Sequence, residues 1–211
     1  LIETGATIEN FNNDTLPIKI KGSKITLPIE YESTVASAQV KSSILLAGLS
    51  SIGTTSIIEN SLSRDHTERM LKYFGAKIET IKLKNSKWKI ILEGIPSLKP
   101  LDINVPSDPS SASFPIVSAL ITPNSKVKVM NVCVNELRTG LFKTLIEMGA
   151  NIKFTNSREM NGELIADIVA ETSKLKGISI PKSRAASMID EYPILAIAAV
   201  KAEGDTIMEG V

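Results

Sequence analysis

The sequence predicts a layered α/β protein built from a repeated supersecondary unit. Three observations support this prediction: two types of helix pattern alternate along the chain, β-prone runs separate them, and the alternation recurs about every seventy residues. The composition agrees, because 43% of the 211 residues are hydrophobic and only 4% are aromatic. We therefore expect a core made mainly of Ile, Leu, Val and Ala.

The first helix type is amphipathic and ends at a glycine. Helices are predicted over 64–74 and 136–148, and they run into Gly-Ala pairs at Gly75 and Gly149. Gly5 begins a third such pair, and the three glycines lie 70 and 74 positions apart. Each glycine is expected to form a left-handed C-terminal cap, and the residues after it are expected to start a strand.

The second helix type is apolar on most faces and should be largely buried. It is predicted over 37–49, 110–120 and 190–202, with starts 73 and 80 positions apart. β-prone runs follow these helices, and pairs of strands follow the amphipathic helices: 53–58, 125–130 and 204–208, then 76–79 with 88–92 and 151–154 with 165–169. The unit is therefore strand, buried helix, strand, amphipathic helix, strand, strand, or βαβαββ. The alternative is a chance similarity among ordinary α/β segments.

Charge and cysteine content narrow the function classes. The formal net charge is +1, from 24 basic and 23 acidic residues, without a basic block, so neither nucleic acid nor membrane is favoured as a partner. No apolar run approaches the roughly 18 residues of a membrane span. Cys133 is the only cysteine, which excludes an internal disulfide and favours a small core residue in a cytoplasmic protein.

Polar residues begin the first buried helix and precede the amphipathic helix after it. Ser37 and Gln39 lie where unpaired N–H groups and the helix dipole attract anions, although Ser37 is equally suited to an N-cap. Arg64 could bind a phosphate with two hydrogen bonds. Alternatively, Asp65 caps the helix and Arg64 is a solvated charge. His66, the only histidine, is more typical of a structural residue than of a catalytic one.

The other two buried helices also begin with polar residues. The hydroxyl-rich segment 107–113 is expected to cap its helix and could line a polar cleft. Asp190 and Glu191 precede a nearly all-apolar helix, where burial would raise a carboxyl pKa and favour a general base. The alternative makes Asp190 an N-cap and Pro193 a first-turn residue. The sequence contains no metal-ligand cluster, Gly-rich phosphate loop, serine-hydrolase elbow or Cys–His pair.

Five segments together resemble the family of 3-phosphoshikimate 1-carboxyvinyltransferases, the EPSP synthases. They are Ser-Ala-Gln-Val-Lys-Ser at 37–42, Ser-Arg-Asp-His-Thr-Glu-Arg-Met-Leu at 63–71, Asp-Pro-Ser-Ser-Ala at 108–112, Arg-Thr-Gly at 138–140 and Ser-Met-Ile-Asp-Glu-Tyr-Pro at 187–193. Their order and spacing match over essentially the whole chain. The variety of motifs resembles the bacterial class that tolerates glyphosate.

The resemblance implies the enolpyruvyl transferase fold, an inside-out α/β barrel of two lobes with three βαβαββ units each. In that fold the buried helices point their N-termini at a cleft between the lobes. Residues 1–104 would be the end of the first lobe and 105–211 the start of the second, so both lobes are expected to be incomplete. The family's N-terminal and C-terminal cationic motifs are absent from this sequence.

The resemblance also implies substrates and residue roles. Ser37, Ala38 and Gln39 would bind shikimate 3-phosphate, and Arg64 would contact its phosphate. Gln39 would also reach phosphoenolpyruvate, and Asp190 would accept the proton of the attacking 5-hydroxyl. No metal or other cofactor is implied, and the full-length enzyme would be a cytoplasmic monomer in aromatic amino acid biosynthesis through chorismate.

Two alternatives remain open from the sequence. The related UDP-N-acetylglucosamine 1-carboxyvinyltransferase shares the fold, although the Ser-Ala-Gln and Met-Ile-Asp-Glu-Tyr-Pro segments disfavour it. A non-catalytic remnant of a split gene would also explain the missing cationic motifs. For the same reason, the 211-residue chain alone is expected to lack transferase activity.

Overall fold

The computed structural model describes residues 1–9 and 15–210. Contacts divide the chain into two compact units, Leu1–Asp102 and Ile103–Val211. Each unit has its own hydrophobic core. Among the described residues, no helix is both long enough and apolar enough to cross a membrane.

The first unit contains one complete βαβαββ repeat, preceded by an antiparallel strand pair. Its elements are β1 (Thr7–Glu9), β2 (Lys19–Lys21), β3 (Glu30–Glu32), α1 (Ala38–Gly48), β4 (Thr54–Glu59), α2 (His66–Tyr73), β5 (Ile78–Lys82) and β6 (Trp88–Glu93). Strands β1 and β2 pair with each other, while the main sheet has the order β3-β4-β6-β5. Only the β3–β4 pairing in that sheet is parallel. Its parallel edge therefore arises from the crossover through α1.

The second unit repeats this arrangement around longer strands. Its elements are α3 (Pro109–Ile121), β7 (Lys126–Cys133), α4 (Gly140–Glu147), β8 (Asn151–Met160), β9 (Glu163–Glu171), β10 (Ser179–Ile180), α5 (Tyr192–Val200) and β11 (Ile207–Met208). The antiparallel sheet has the order β7-β9-β8, and β10 pairs with β11 in parallel. A parallel bridge from Ser107 to Val132 corresponds to the β3–β4 pairing of the first unit. The predicted repeat is thus confirmed.

The glycine caps are also confirmed. Gly5, Gly75 and Gly149 have φ values of 95°, 95° and 94°. The Gly75 and Gly149 amides donate to the carbonyls of Lys72 and Ile146, three residues earlier. A side chain in this left-handed conformation costs roughly 1 kcal/mol or more, which explains the choice of glycine at these chain reversals.

Three predicted helices begin later than the sequence indicated, and one of them is α2, which begins at His66 rather than at 64. The segment 136–148 forms a short 3₁₀ turn at Glu136–Arg138 and only then α4. The Asn135 side chain accepts a hydrogen bond from the Leu137 amide, which favours a turn at this point. Similarly, the helix predicted from 190 starts as α5 at Tyr192, after a 3₁₀ turn at Ile189–Glu191.

Both cores consist of aliphatic side chains from the buried helices and the sheet behind them. The first joins α1 and α2 to the main sheet, and its buried residues are Ile44, Leu45, Ile57, Leu71, Ala76, Ile78, Ile90 and Leu92. The second joins α3, α4 and α5 to β7 and β9, around Ile116, Leu120, Leu141, Leu145, Ile168 and Leu195. Cys133 is buried at the end of β7, as expected. These cores fix the buried helices, and hence the positions of their polar first turns.

Candidate functional site

The start of α1 contains three of the residues implied to bind substrate. Ser37 is the N-cap, and its Oγ accepts a hydrogen bond from the Val40 amide at 3.4 Å. The same hydroxyl lies 3.3 Å from Gln39 Oε1, to which it donates. Ser37 and Ala38 are half-buried, and Gln39 is exposed. The capping interpretation of Ser37 is therefore confirmed, and the first turn presents its polar groups at the surface of this unit.

Arg64 lies in the loop between β4 and α2 and is half-buried. The expected cap of α2 by Asp65 is wrong: Asp65 occupies the N-cap position but makes no side-chain capping hydrogen bond. Its carboxylate instead accepts from Arg69 Nε at 2.8 Å, one turn along α2. His66 is the first residue of α2 and is half-buried.

A buried charge cluster connects α1 with this loop. Lys41 is fully buried, and its Nζ lies 2.7 Å from Glu68 Oε1 and 3.3 Å from Glu59 Oε2. The ammonium also donates to the carbonyl oxygen of Ser63 at 3.2 Å. Glu59 is fully buried and the Glu68 side chain is 8% exposed. We call Lys41, Glu59, Glu68 and Ser63 the Lys41 cluster.

The charge of the Lys41 cluster is unbalanced, since one ammonium faces two carboxyl groups. Burial raises the pKa of Glu68, and the neighbouring Lys41 charge opposes this rise without cancelling it. An uncompensated charge in a protein interior costs several kcal/mol. Glu68 therefore accepts a proton more readily than a solvent-exposed glutamate.

Lys41 and Glu59 contact three different groups of Ser63. Its Oγ donates to Glu59 Oε1 at 2.6 Å, its amide lies 3.4 Å from Glu59 Oε2, and its carbonyl accepts from Lys41. A second link joins α1 to α2 through the Ser42 and Thr67 hydroxyls, which are 2.6 Å apart. The residue that precedes Arg64 is thus tied to both α1 and β4.

In the second unit, the start of α3 is the centre of a different network. Asp108 caps α3, accepting from the Ser111 amide at 2.8 Å and the Ser111 hydroxyl at 2.9 Å. Arg138 Nη2 donates to Asp108 Oδ1 at 3.0 Å and to Ser110 Oγ at 2.8 Å. Ser110 in turn donates to Glu191 Oε1, which connects α3 with the residue before α5. We call these residues the Arg138 network, and the predicted capping by segment 107–113 is confirmed.

Asp108 remains easily ionised within this network. Burial alone would raise the pKa of Asp108, but the hydrogen bonds from Ser111 and the Arg138 charge together lower it. This is the behaviour expected of a capping carboxylate at a helix N-terminus.

The carboxylate pair before α5 is divided between two environments. Asp190 is exposed, whereas Glu191 is 3% exposed. The expectation that Asp190 caps the helix is wrong, because the 3₁₀ turn puts Glu191 at the N-cap position, without a side-chain capping bond. Among the residues that the structure describes, Glu191 Oε2 and the Tyr192 hydroxyl are both buried with no hydrogen-bond partner. The sequence predicted burial for the Asp190–Glu191 pair, and the structure shows it at Glu191 only.

Comparison with known proteins assigns a family to this arrangement. The model of the family EPSP synthase (3-phosphoshikimate 1-carboxyvinyltransferase) matches residues 1–211. The chain belongs to the EPSP synthase family. It is 53% identical over 211 residues to the 3-phosphoshikimate 1-carboxyvinyltransferase of Parvibaculum lavamentivorans and 52% identical over 207 residues to that of Bartonella henselae. These alignments cover 100% and 98% of the chain but 47% of each relative.

Solved structures give the same fold. EPSP synthase from Acinetobacter baumannii matches with a TM-score of 0.83 and 44% identity, over 97% of this chain and 46% of that one. The enolpyruvyl transferase NikO from Streptomyces tendae matches with a TM-score of 0.59 at 15% identity, which bears on the fold alone. The chain thus has the enolpyruvyl transferase fold, and it spans about half the length of the family members that it matches.

Within each unit, the EPSP synthase motifs lie at the starts of buried helices or next to them. Sequence reasoning missed the contacts behind those motifs. Lys41 is a charged residue inside an apolar helix pattern. That pattern was a signal that a counter-charge lies close to it in the fold. Arg138 belonged to a recognised motif, but nothing local indicated its partners Asp108 and Ser110.

Proposed function

We propose that this chain is part of a 3-phosphoshikimate 1-carboxyvinyltransferase. The enzyme would transfer the enolpyruvyl group of phosphoenolpyruvate to the 5-hydroxyl of shikimate 3-phosphate and release phosphate. The observation that carries this proposal is the family match over all 211 residues, with the recognised motifs at helix starts in both units. By the same reasoning, residues 1–104 would end one lobe and 105–211 would begin the other, in a cytoplasmic and monomeric full-length enzyme.

In the first unit, the start of α1 and the Arg64 loop would bind shikimate 3-phosphate. The first N–H groups of an α-helix lack intrahelical partners and lie at the positive end of the dipole, so they favour a phosphate oxygen. Ser37, Ala38 and Gln39 supply this turn. The Arg64 guanidinium would add a charge-assisted pair of hydrogen bonds to the same phosphate, and Gln39 would extend to phosphoenolpyruvate.

In the second unit, Asp190 would be the general base. The 5-hydroxyl oxygen would form a bond to C2 of phosphoenolpyruvate while its proton passes to Asp190, and C3 would take up a proton to give a tetrahedral intermediate. Cleavage of the C2–O bond to phosphate, with loss of a proton from C3, then restores the double bond. Asp190 is exposed next to the buried Glu191, so a substrate can reach its carboxylate.

A chimera tests this proposal. The aligned segment of the Parvibaculum lavamentivorans relative, which is 53% identical, is replaced by this chain. The release of phosphate from phosphoenolpyruvate is then measured with shikimate 3-phosphate as the acceptor. We expect turnover by the chimera, none by the isolated chain, and a loss of about 10²-fold or more in kcat with Asp190→Asn. Asp205→Asn, another exposed carboxylate in the second unit, should leave kcat unchanged.

A folded chimera without turnover would contradict the proposed function. Full activity of the Asp190→Asn chimera would contradict only the role of Asp190. Turnover by the isolated chain, abolished by Asp190→Asn, would refute the expectation that the chain alone is inactive.

A further inference from the structure

The two proposed phosphate contacts of the first unit are linked through a single residue, Lys41. Lys41 lies one turn into α1, where its amide donates to the Ser37 carbonyl at 3.0 Å. Its ammonium donates to the Ser63 carbonyl at 3.2 Å, immediately before Arg64. Lys41 therefore contacts the N-cap of α1 through its backbone amide and the residue that precedes Arg64 through its ammonium.

The position of the ammonium is strongly determined. A lysine has three N–H donors, and here three acceptors surround it: Glu59, Glu68 and the Ser63 carbonyl. Lys41 is fully buried, so no water can replace a lost acceptor at low cost. The ammonium donates hydrogen bonds to Glu59 and to the Ser63 carbonyl and forms an ion pair with Glu68, so a displacement would weaken contacts with all three.

The contacts of Ser63 distinguish this cluster from a simple buried ion pair. Lys41 and Glu59 both bond to Ser63, and together they engage its carbonyl, amide and hydroxyl. Neutralising charge requires none of these bonds. They restrict the backbone at the loop position from which the Arg64 side chain starts.

We propose that Lys41 is a positioning residue that sets Arg64 relative to the start of α1, so that both reach the same phosphate monoester. This inference rests on the proposed function, because it assumes that Ser37 and Arg64 contact one phosphate. It adds a residue that touches no substrate. A displacement of the guanidinium by about 1 Å is enough to reduce a phosphate interaction strongly.

The test compares two ligands that differ by one phosphate. Affinities of the full 211-residue chain for shikimate 3-phosphate and for shikimate are measured by calorimetry, and their ratio gives the phosphate preference. We expect Lys41→Met to reduce this preference about tenfold. Ser63→Ala, which loses only the hydroxyl contact to Glu59, should reduce it less and keeps the test valid if Lys41→Met does not fold.

A matched core variant separates positioning from loss of stability. Ile57→Ala removes a fully buried β4 side chain outside the Lys41 cluster, so it lowers stability but should keep the wild-type preference. An equal loss of preference in Ile57→Ala, or an unchanged preference in folded Lys41→Met or Ser63→Ala, would overturn the inference.

A second measurement keeps this inference separate from the proposed function. If the wild-type chain shows no phosphate preference, the proposed contacts of Ser37 and Arg64 fail for this chain. The inference is then judged by NMR relaxation of the Arg64 side-chain Nε–H. Lower order in Lys41→Met or Ser63→Ala than in Ile57→Ala supports positioning by the cluster, and equal order overturns it.

Discussion

The two units build similar helix starts but support them in different ways. In the first, the Lys41 cluster is almost completely buried, and both carboxyl groups lie within 3.3 Å of the ammonium. In the second, the Arg138 network reaches the surface, since the Asp108 side chain is 48% exposed, and a neutral hydroxyl separates Arg138 from Glu191. The same repeat therefore accommodates a buried charge cluster in one unit and a partly exposed network in the other. The stability of the first unit should depend far more on each charge of its buried cluster.

The largest expected effect on stability is that of removing the Lys41 ammonium from the buried cluster. Lys41→Met leaves Glu59 and Glu68 without a counter-charge and should cost about 3–5 kcal/mol of unfolding free energy at neutral pH. The measurement is urea unfolding followed by the fluorescence of Trp88, the single tryptophan, which lies in the first unit. The cost should shrink at acidic pH, because the pKa of Glu68 is raised and its carboxyl group accepts a proton there.

An exposed ion pair of the same unit provides the control for that measurement. Lys77 pairs with Glu93 at 3.0 Å, with both side chains largely exposed. Lys77→Met should therefore change the stability little. Equal effects of Lys41→Met and Lys77→Met would contradict the importance assigned to burial.

The corresponding change in the second unit should have a smaller effect. Arg138→Met removes the donor to Asp108 and Ser110, but water can reach Asp108, so we expect a cost of about 2 kcal/mol. Hydrogen exchange of the Ile168 amide, in the central strand of this unit, measures it. A cost as large as that of Lys41→Met would remove the distinction between the buried cluster and the partly exposed network.

The pH dependence of the first unit gives a subtler comparison. The pKa of Glu68 is raised above its ordinary value of 4.5 in the folded state, so the folded state binds more protons than the unfolded one. The resulting contribution to stability is present below pH 4.5 and is lost as the pH rises through the folded pKa. Glu68→Gln should remove this loss, so its stability relative to wild type should increase as the pH rises from 4.5. A constant difference would contradict the raised pKa.

The smallest expected effect has the opposite sign and belongs to the second unit. The pKa of Asp108 is lowered from 3.8, so its contribution is present above that pH and is lost as the pH falls through the folded value. Asp108→Asn should therefore lose stability relative to wild type near neutral pH and approach it in acid. Parallel pH profiles for Asp108→Asn and wild type, measured by exchange of the Ile168 amide, would contradict the assigned hydrogen bonds.

Features that depend on neighbouring residues were predictable from the sequence. The left-handed caps at Gly75 and Gly149 follow from local backbone sterics, and α1 follows from an apolar helix pattern after Ser37. The repeat could be read because its two helix types recur in phase. Family resemblance then indicated the fold and the candidate residues, and both the family and the fold are confirmed.

Features that depend on distant partners were not predictable. Lys41 meets Glu59 after 18 residues and Ser63 after 22, and no local pattern specifies those contacts. The assignment of Asp190 as an N-cap failed because a 3₁₀ turn shifted the start of α5 by two residues. The roles of Ser37, Ala38, Gln39, Arg64 and Asp190 toward substrates stay predictions.

Acceptor choice by the chimera tests the proposed transferase function most directly. With phosphoenolpyruvate as the donor, phosphate release is measured with shikimate 3-phosphate and, separately, with UDP-N-acetylglucosamine as the acceptor. We expect turnover with shikimate 3-phosphate only. Turnover with the UDP-sugar, or a folded chimera that turns over neither acceptor, would contradict it.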